Sequence, residues 1–280
     1  MNKLSFRNRH VVVTGGNSGL GLALAKALAG EGARLTLMAR NAEKLARAAA
    51  EINAAHPGSV VGTHSVDVTD ERASAEAMNA AAEGQGGIDA LINNAGILRE
   101  GHFQELTSND FRQVMEINYF GVLNATRAAL PHLRNSKGRL INVASIAGLV
   151  GAFGYTSYCA SKHALVGLTS CLRFELEPMG ITVQLVCPAE FDSPMVVDLD
   201  KSRTPENRAH VRTIPKATLG AIVSDVVKGL ATDRYEIVPT GMARAAVKMA
   251  RLAPGLLRRA GDRAIAKAYE GPRPVEMASR

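Results

Sequence analysis

Apolar, β-branched runs alternate with longer stretches of helical period along most of the chain. The runs are HVVVTG from His10, ARLTLMAR from Ala33, SVVGTHSV from Ser59, IDALINNAG from Ile88, GRLINVAS from Gly138, ITVQLVCP from Ile181 and a short YEIVP from Tyr235. Helical period fills residues 19–31, 41–54, 70–83, 108–133, 156–178 and 219–231. Parallel neighbours need crossovers of this length, so the pattern predicts βαβ units: an α/β fold with about seven parallel strands, doubly wound in three α/β/α layers. Residues 189–216 break the rhythm with neither a clear strand nor a long helix. Their apolar patch, Met195, Val196, Val197 and Leu199, predicts a lid.

Length and charge refine this picture. A chain of 280 residues can bury a large core, and the expected division is one α/β domain over 1–240 with a helical tail over 241–280. The net charge of +7 resembles a nucleic-acid signature, yet nine of the 33 Lys/Arg and only three of the 26 Asp/Glu lie from residue 241 onward. The body is near neutral and the tail is basic, which argues against nucleic acid as partner. Cys159, Cys171 and Cys187 lie in or beside apolar runs and are expected to be free, buried thiols. With no apolar leader before the first strand and no membrane-length run, the expected location is cytoplasmic or peripheral to a membrane. Cys159 and His163 share a helical face but lack further ligands, so no metal is expected.

The first strand ends in TGGNSGLG, residues 14–21, and a helix follows. Glycines at 15, 19 and 21 let backbone approach a pyrophosphate held at the helix N-terminus. After the second strand, an acidic residue would accept from ribose hydroxyls, whereas a 2′-phosphate needs a cation. Ala39 and Arg40 stand there, which predicts NADP(H) with Arg40 on the phosphate. Asp67 either accepts from the adenine amino group or serves as a turn or cap residue.

Tyr158 and Lys162 sit four apart on one helical face. Lowering a tyrosine pKa from about 10 to near 7 takes roughly 4 kcal/mol. One cation at about 4 Å in an effective dielectric of about 20 supplies that order of energy. Ser145, at the end of the fifth run, is placed to bond a substrate oxygen, and Asn118 to hold a water that passes protons to Lys162. Tyr155 cannot take the role of Tyr158, because Cys159 occupies its fourth position onward; it is expected to line the substrate entrance.

The order Thr14-Gly15-x-x-x-Gly19-x-Gly21, Asn93-Asn94-Ala95-Gly96, Asn118, Ser145, Tyr158-x-x-x-Lys162 resembles the short-chain dehydrogenase/reductase superfamily over about residues 5–240. The resemblance implies a Rossmann-type sheet, a catalytic set Asn118, Ser145, Tyr158 and Lys162, and hydride transfer between nicotinamide and a carbonyl carbon. It places Thr14, Gly15, Asn17, Ser18, Gly19, Leu20 and Gly21 at the pyrophosphate, with Asp67 and Val68 at the adenine. Asn94, Ala95, Gly96, Tyr158, Lys162, Pro188 and Ser193 follow along the cofactor. Members commonly carry a glycine and a threonine where this chain has Ala189 and Ser193; the serine keeps the hydroxyl, while the alanine loses freedom at positive φ.

The stretch around GYTSYCASK is similar to the 3-ketodihydrosphingosine reductase branch, which implies NADPH-dependent reduction of a long-chain 3-ketone. A soluble ketone, steroid or 3-oxoacyl thioester is the alternative substrate. A catalytically silent NADP(H)-sensing or scaffold protein is the alternative from another class, and a homodimer or homotetramer is implied by the resemblance alone. In the tail, Met242, Ala245, Ala246, Met249 and Leu252 share one helical face, opposite Arg244, Lys248 and Arg251. That face is expected to meet a membrane surface, the core or a second subunit.

Overall fold

The computed structural model describes residues 5–270, so the last ten residues of the expected tail lie outside the described residues. The strands are β1 (His10–Thr14), β2 (Arg34–Ala39), β3 (Val61–Ser65), β4 (Ala90–Asn93), β5 (Arg139–Val143), β6 (Thr182–Val186) and β7 (Glu236–Ile237). All pair in parallel in the order β3-β2-β1-β4-β5-β6-β7, the expected seven-stranded sheet. The strands β1, β4 and β5 are buried along their whole length, as a sheet covered on both faces requires. At the edge, β3 is half-exposed.

The helices are α1 (Gly19–Gly30), α2 (Ala42–Ala55), α3 (Glu71–Gln85), α4 (Ser108–Met115), α5 (Gly121–Ser136), α6 (Thr156–Leu176), α7 (Pro194–Leu199), α8 (Pro205–Val211), α9 (Leu219–Leu230), α10 (Gly241–Leu252) and α11 (Pro254–Glu270). Local chemistry sets several starts. Asn41 and Asp70 accept from the third amide of α2 and α3, and Thr107 with Asp110 forms a reciprocal capping box on α4. The predicted 108–133 helix is one rod interrupted by a π-helical turn, Glu116–Phe120, between α4 and α5. One core layer packs α1 and α9 on the sheet through Leu24, Leu28, Ile222 and Val226; the other packs α3 and α5 through Met78, Ala82, Ala129 and Leu133.

The chain passes from β1 out to β2 and β3 and then returns to β4 on the other side of β1. The loops leaving β1 and β4 therefore part at their C-terminal ends and open a crevice, the place where open α/β sheets bind ligands. Segment 189–216 holds only the short α7 and α8, in keeping with its lack of long periodicity.

Two expectations are corrected. Cys171 is exposed, because its position on α6 faces solvent; Cys159 and Cys187 are buried, and all three are free. The tail does pack on the core, but through Ala243 and Val247 against Leu165, Leu185, Cys187 and Val238. Met242, Met249 and Leu252 remain exposed, while Arg244 and Arg251 turn toward Asp225 and Glu236. Two ion pairs with the body thus fix the helix so that small residues, rather than the methionines, meet the core. Then α11 packs on α8, where a side chain at Gly261 would come within 2.7 Å of His210 Nε2.

Candidate active site

The crevice is a cleft of about 480 Å³ running over the C-terminal ends of β1, β2, β4, β5 and β6. At one end lie Gly15, Asn17, Ser18, Gly19 and Leu20. Helix α1 starts there with no side-chain cap and no acidic residue in its first turn, which leaves its N-terminal amides for an anion. At Gly19 φ is +54°, and a Cβ would meet nothing closer than Pro194 Cδ at 3.8 Å, so bare backbone faces open space. This is a cradle suited to a pyrophosphate.

Thr14 and Gly21 stand behind the cleft rather than in it. Thr14 Oγ1 accepts from the amides of Asn94 and Ala95 at 3.0 and 3.2 Å. A Cβ at Gly21 would lie 2.5 Å from Gly15 O and from Asn94 Nδ2, so this glycine lets α1 pack under the loop. Asn94 donates through Nδ2 to the carbonyls of Thr14 and Gly15 while lining the cleft with Ala95 and Gly96. The NNAG turn thereby ties β4 to β1.

At the β2 end the cleft is lined by Arg40, Asp67 and Val68, and by Lys44, which the sequence reading missed. Lys44 lies in the first turn of α2, four residues after Arg40, and this spacing from a cation already singled out was the available signal. Asp67 serves a turn: its Oδ1 accepts from Thr69 N and Oγ1 at 3.0 and 2.9 Å, and Oδ2 stands 3.9 Å from Arg40. Behind Val68, Gly121 opens α5 without a side chain, where a Cβ would meet Val68 Cγ2 at 2.6 Å.

At the opposite end are Ser145, Tyr158, Lys162 and Pro188, while Ser193 lines the cleft beside Gly19, its Cβ 3.9 Å from where a Cβ of that glycine would lie. Ser145 follows β5, and its Oγ donates to Pro188 O at 3.3 Å and accepts from Ala147 N at 3.1 Å. Ser193 Oγ caps α7, accepting from Val196 N at 3.2 Å. Ala189 is buried and is not among the residues at positive φ. Lys162 is buried, and its Nζ donates to Val143 O at 3.0 Å and stands 5.7 Å from the centre of the Tyr158 ring. Desolvation pushes its pKa down to about 8. Burial drives the Tyr158 phenol above its ordinary value, and the Ser145 hydroxyl pulls it the other way. In this structure burial is the main influence on the Tyr158 phenol, while the Lys162 ammonium is turned to a backbone carbonyl.

Asn118, in the π-helical turn, is fully buried and does not face the cleft. Its Oδ1 accepts from Ile97 N at 2.8 Å, and its Nδ2 donates to Ile97 O at 2.9 Å and to Ser161 Oγ at 3.0 Å. The side chain thus braces the loop after β4 against α6 and makes no direct hydrogen bond to Lys162. Gly96 makes room beside it, since a Cβ there would lie 3.1 Å from Asn118 Oδ1 and 3.6 Å from Lys162 Nζ. The remainder of the lining is largely apolar: Leu98, Ile146, Val150, Val196, Val211 and Ile214. Among these stand Tyr155 and Glu190, whose contacts could not be read from sequence.

Comparison with known proteins agrees with this geometry. The model of the short chain dehydrogenase family matches residues 9–204. A 3-dehydrosphinganine reductase of Danio rerio is 35% identical over 240 residues, which cover 83% of this chain and 72% of that protein. The crystal structure of levodione reductase superposes with a TM-score of 0.78 at 32% identity, over 86% of this chain and 99% of that one. A short chain dehydrogenase/reductase of Burkholderia phymatum, solved in complex with NAD, gives 0.79 at 27% identity over 90% and 96% of the two chains. The match takes in the glycine cradle and the tyrosine-lysine helix alike, and the chain belongs to the short-chain dehydrogenase family of nicotinamide-dependent oxidoreductases.

Proposed function

We propose that the protein is an NADPH-dependent reductase that converts the carbonyl of a long-chain, lipid-like 3-keto substrate to a secondary alcohol. The observation that carries the reading is the meeting of Ser145, Tyr158 and Lys162 in the wall of a largely apolar cleft. A nicotinamide cofactor bound along the cleft would supply hydride to the carbonyl carbon. Ser145 Oγ holds the carbonyl oxygen, and Tyr158, kept protonated by its burial, gives that oxygen its proton. Lys162, with its pKa brought near neutrality by desolvation, orients the cofactor ribose and restores the proton to Tyr158. Asn118 acts by bracing the turn that carries Gly96 and the helix that carries Tyr158.

Arg40 and Lys44 favour NADPH, since both cations reach the cleft where a 2′-phosphate would lie and Asp67 is occupied in a turn. Segment 189–216 serves as the substrate lid. The likeness to levodione reductase favours a second reading, in which the substrate is a compact soluble ketone. The test is loss of nicotinamide absorbance with NADPH or NADH and a series of 3-keto substrates of rising chain length. Selective NADPH oxidation that rises with length supports the lipid reading, and activity confined to compact ketones removes it.

The exposed row Met249, Leu252 and Leu256, flanked by Lys248, Arg258 and Arg259, forms a basic apolar face suited to an anionic bilayer surface. No described helix is long and apolar enough to cross a membrane. Co-flotation with anionic but not neutral vesicles is the expected result, and no flotation with either overturns this contact. The exposed rings of Phe103, Phe120 and Phe174 fit a homodimer or homotetramer, to be read by light scattering.

A further inference from the structure

Arg203 lies between α7 and α8, in a stretch without periodicity, yet its side chain is only 2% exposed. A guanidinium cannot be stripped of water without partners. Nη1 donates to Glu190 Oε1 at 3.0 Å and Nη2 to Glu190 Oε2 at 2.7 Å, a two-point grip. Nη2 also donates to the Tyr155 hydroxyl at 2.8 Å, and Nε stands 3.2 Å from Asp200 Oδ1. Burial works against the charge, but Glu190, Tyr155 and Asp200 more than offset it and hold Arg203 protonated.

These partners come from three places: Glu190 follows β6, Tyr155 opens α6, and Asp200 ends α7. The Tyr155 hydroxyl in turn donates to Glu190 Oε2 at 3.1 Å. Its ring is buried and stands edge-on to the ring of Tyr158, with centres 5.8 Å apart and planes at 74°. One charged side chain therefore joins the 189–216 segment to the wall against which the proposed proton donor rests.

We propose that Arg203 is a positioning residue for the reduction: by tying the α7–α8 part of segment 189–216 to Glu190 at the segment's start and to Tyr155 in the wall beyond it, it aims Tyr158, so that lid closure and alignment of the proton donor are one event. This rests on the reductase reading above. Arg203 does not itself face the cleft, so it acts through Tyr155. An ion pair that only stabilised the fold would alter melting and substrate KM and leave kcat alone.

Glu190 provides a second handle. Burial is the main influence raising the Tyr158 phenol; the Cys159 and Cys187 thiols and the Glu190 carboxylate add to it, and the Ser145 hydroxyl opposes it. The Lys162 ammonium stands 5.7 Å from the ring. Lys216 approaches Glu190 only to 3.6 Å and also serves Asp192 and Asp200. Without Arg203, the Glu190 charge would be less balanced and the phenol would be harder to ionise.

The test is a double-mutant cycle of Arg203→Met and Tyr155→Phe, with Arg203→Lys alongside, at saturating nicotinamide cofactor and with any ketone the wild type reduces. Each single variant should lose kcat by about tenfold, the scale of one hydrogen bond to a charged group. Cofactor binding should stay unchanged, the double variant should fall no lower than Arg203→Met, and Arg203→Lys should recover part of the loss. In the alcohol-oxidising direction the acid limb of the Arg203→Met profile should move to higher pH. Strictly additive losses, or a rise in KM with kcat intact, would overturn the inference alone. Inactivity of the wild type toward every ketone would overturn the reductase reading and the inference with it. If Arg203→Met does not fold, full kcat in Tyr155→Phe suffices to overturn it.

Discussion

Replacing Lys162 by methionine removes a cation that the fold holds at a loss. The side chain is 4% exposed, and desolvation brings its pKa from 10.5 down to about 8. At 1.36 kcal/mol per pH unit this corresponds to about 3 kcal/mol of stability forgone wherever the group is fully charged in both states. Losing the hydrogen bond to Val143 O returns about 1 kcal/mol of that. Lys162→Met, close in length, should thus be more stable than the wild type by about 2 kcal/mol at pH 7. Its reductase turnover should be lost. Between about pH 8 and 10.5 the unfolded chain keeps a proton that the folded chain has released, so the wild type gains stability as pH rises through that window. The advantage of the variant should shrink over the same window, vanish within it and reverse by about 1 kcal/mol above it, where only the lost hydrogen bond remains. Urea unfolding of both proteins at pH 7, 9 and 10.5, followed by far-ultraviolet circular dichroism, reads the difference. A variant less stable at pH 7, or an advantage that does not change with pH, would refute the reasoning.

Tyr158→Phe should abolish turnover while NADPH binding, followed by nicotinamide fluorescence, stays within about twofold, because the lost hydroxyl serves proton transfer; retained turnover would remove Tyr158 from the chemistry. Arg40→Asp should move cofactor preference from NADPH toward NADH by at least about tenfold in kcat/KM, the weight of one charge-assisted contact, and an unchanged ratio would assign the phosphate to Lys44 or elsewhere. Gly21→Ala should cost about 1 to 3 kcal/mol in urea unfolding, since the new methyl would overlap Gly15 O and Asn94 Nδ2. A neutral effect there would mean that α1 does not pack under the loop as described.

The layered sheet was legible because alternation of apolar runs with helical period is local, and the structure realises every predicted strand. Most of the predicted cleft residues were legible for a related reason: each sits just after a strand or at a helix start, where topology brings strand ends together. Thr14, Gly21 and Asn118 show the limit of that logic. They belong to the same motifs, yet they support the cleft from behind, a distinction that depends on a few ångströms of packing. Arg203 and Glu190 left no sequence signal because their meeting with Tyr155 is set wholly by tertiary structure. Lys44 was hidden by its ordinary place in the first turn of a helix. In the tail, hydropathy pointed to the methionines, whereas close approach to the core chose Ala243 and Val247.

The π-helical turn at Glu116–Phe120 also sets two phases within one rod. Each residue of an α-helix advances the face by about 100°, so the additional residue accommodated in a π turn rotates everything beyond it by that amount. Asn118 can then face Ile97 and Ser161 while Gly121, three positions on, meets Val68. A single-residue deletion within 116–120 would bring the rod back into one phase and turn one of these two contacts away. This short stretch is therefore far less tolerant of a change in length than of a change in side chain.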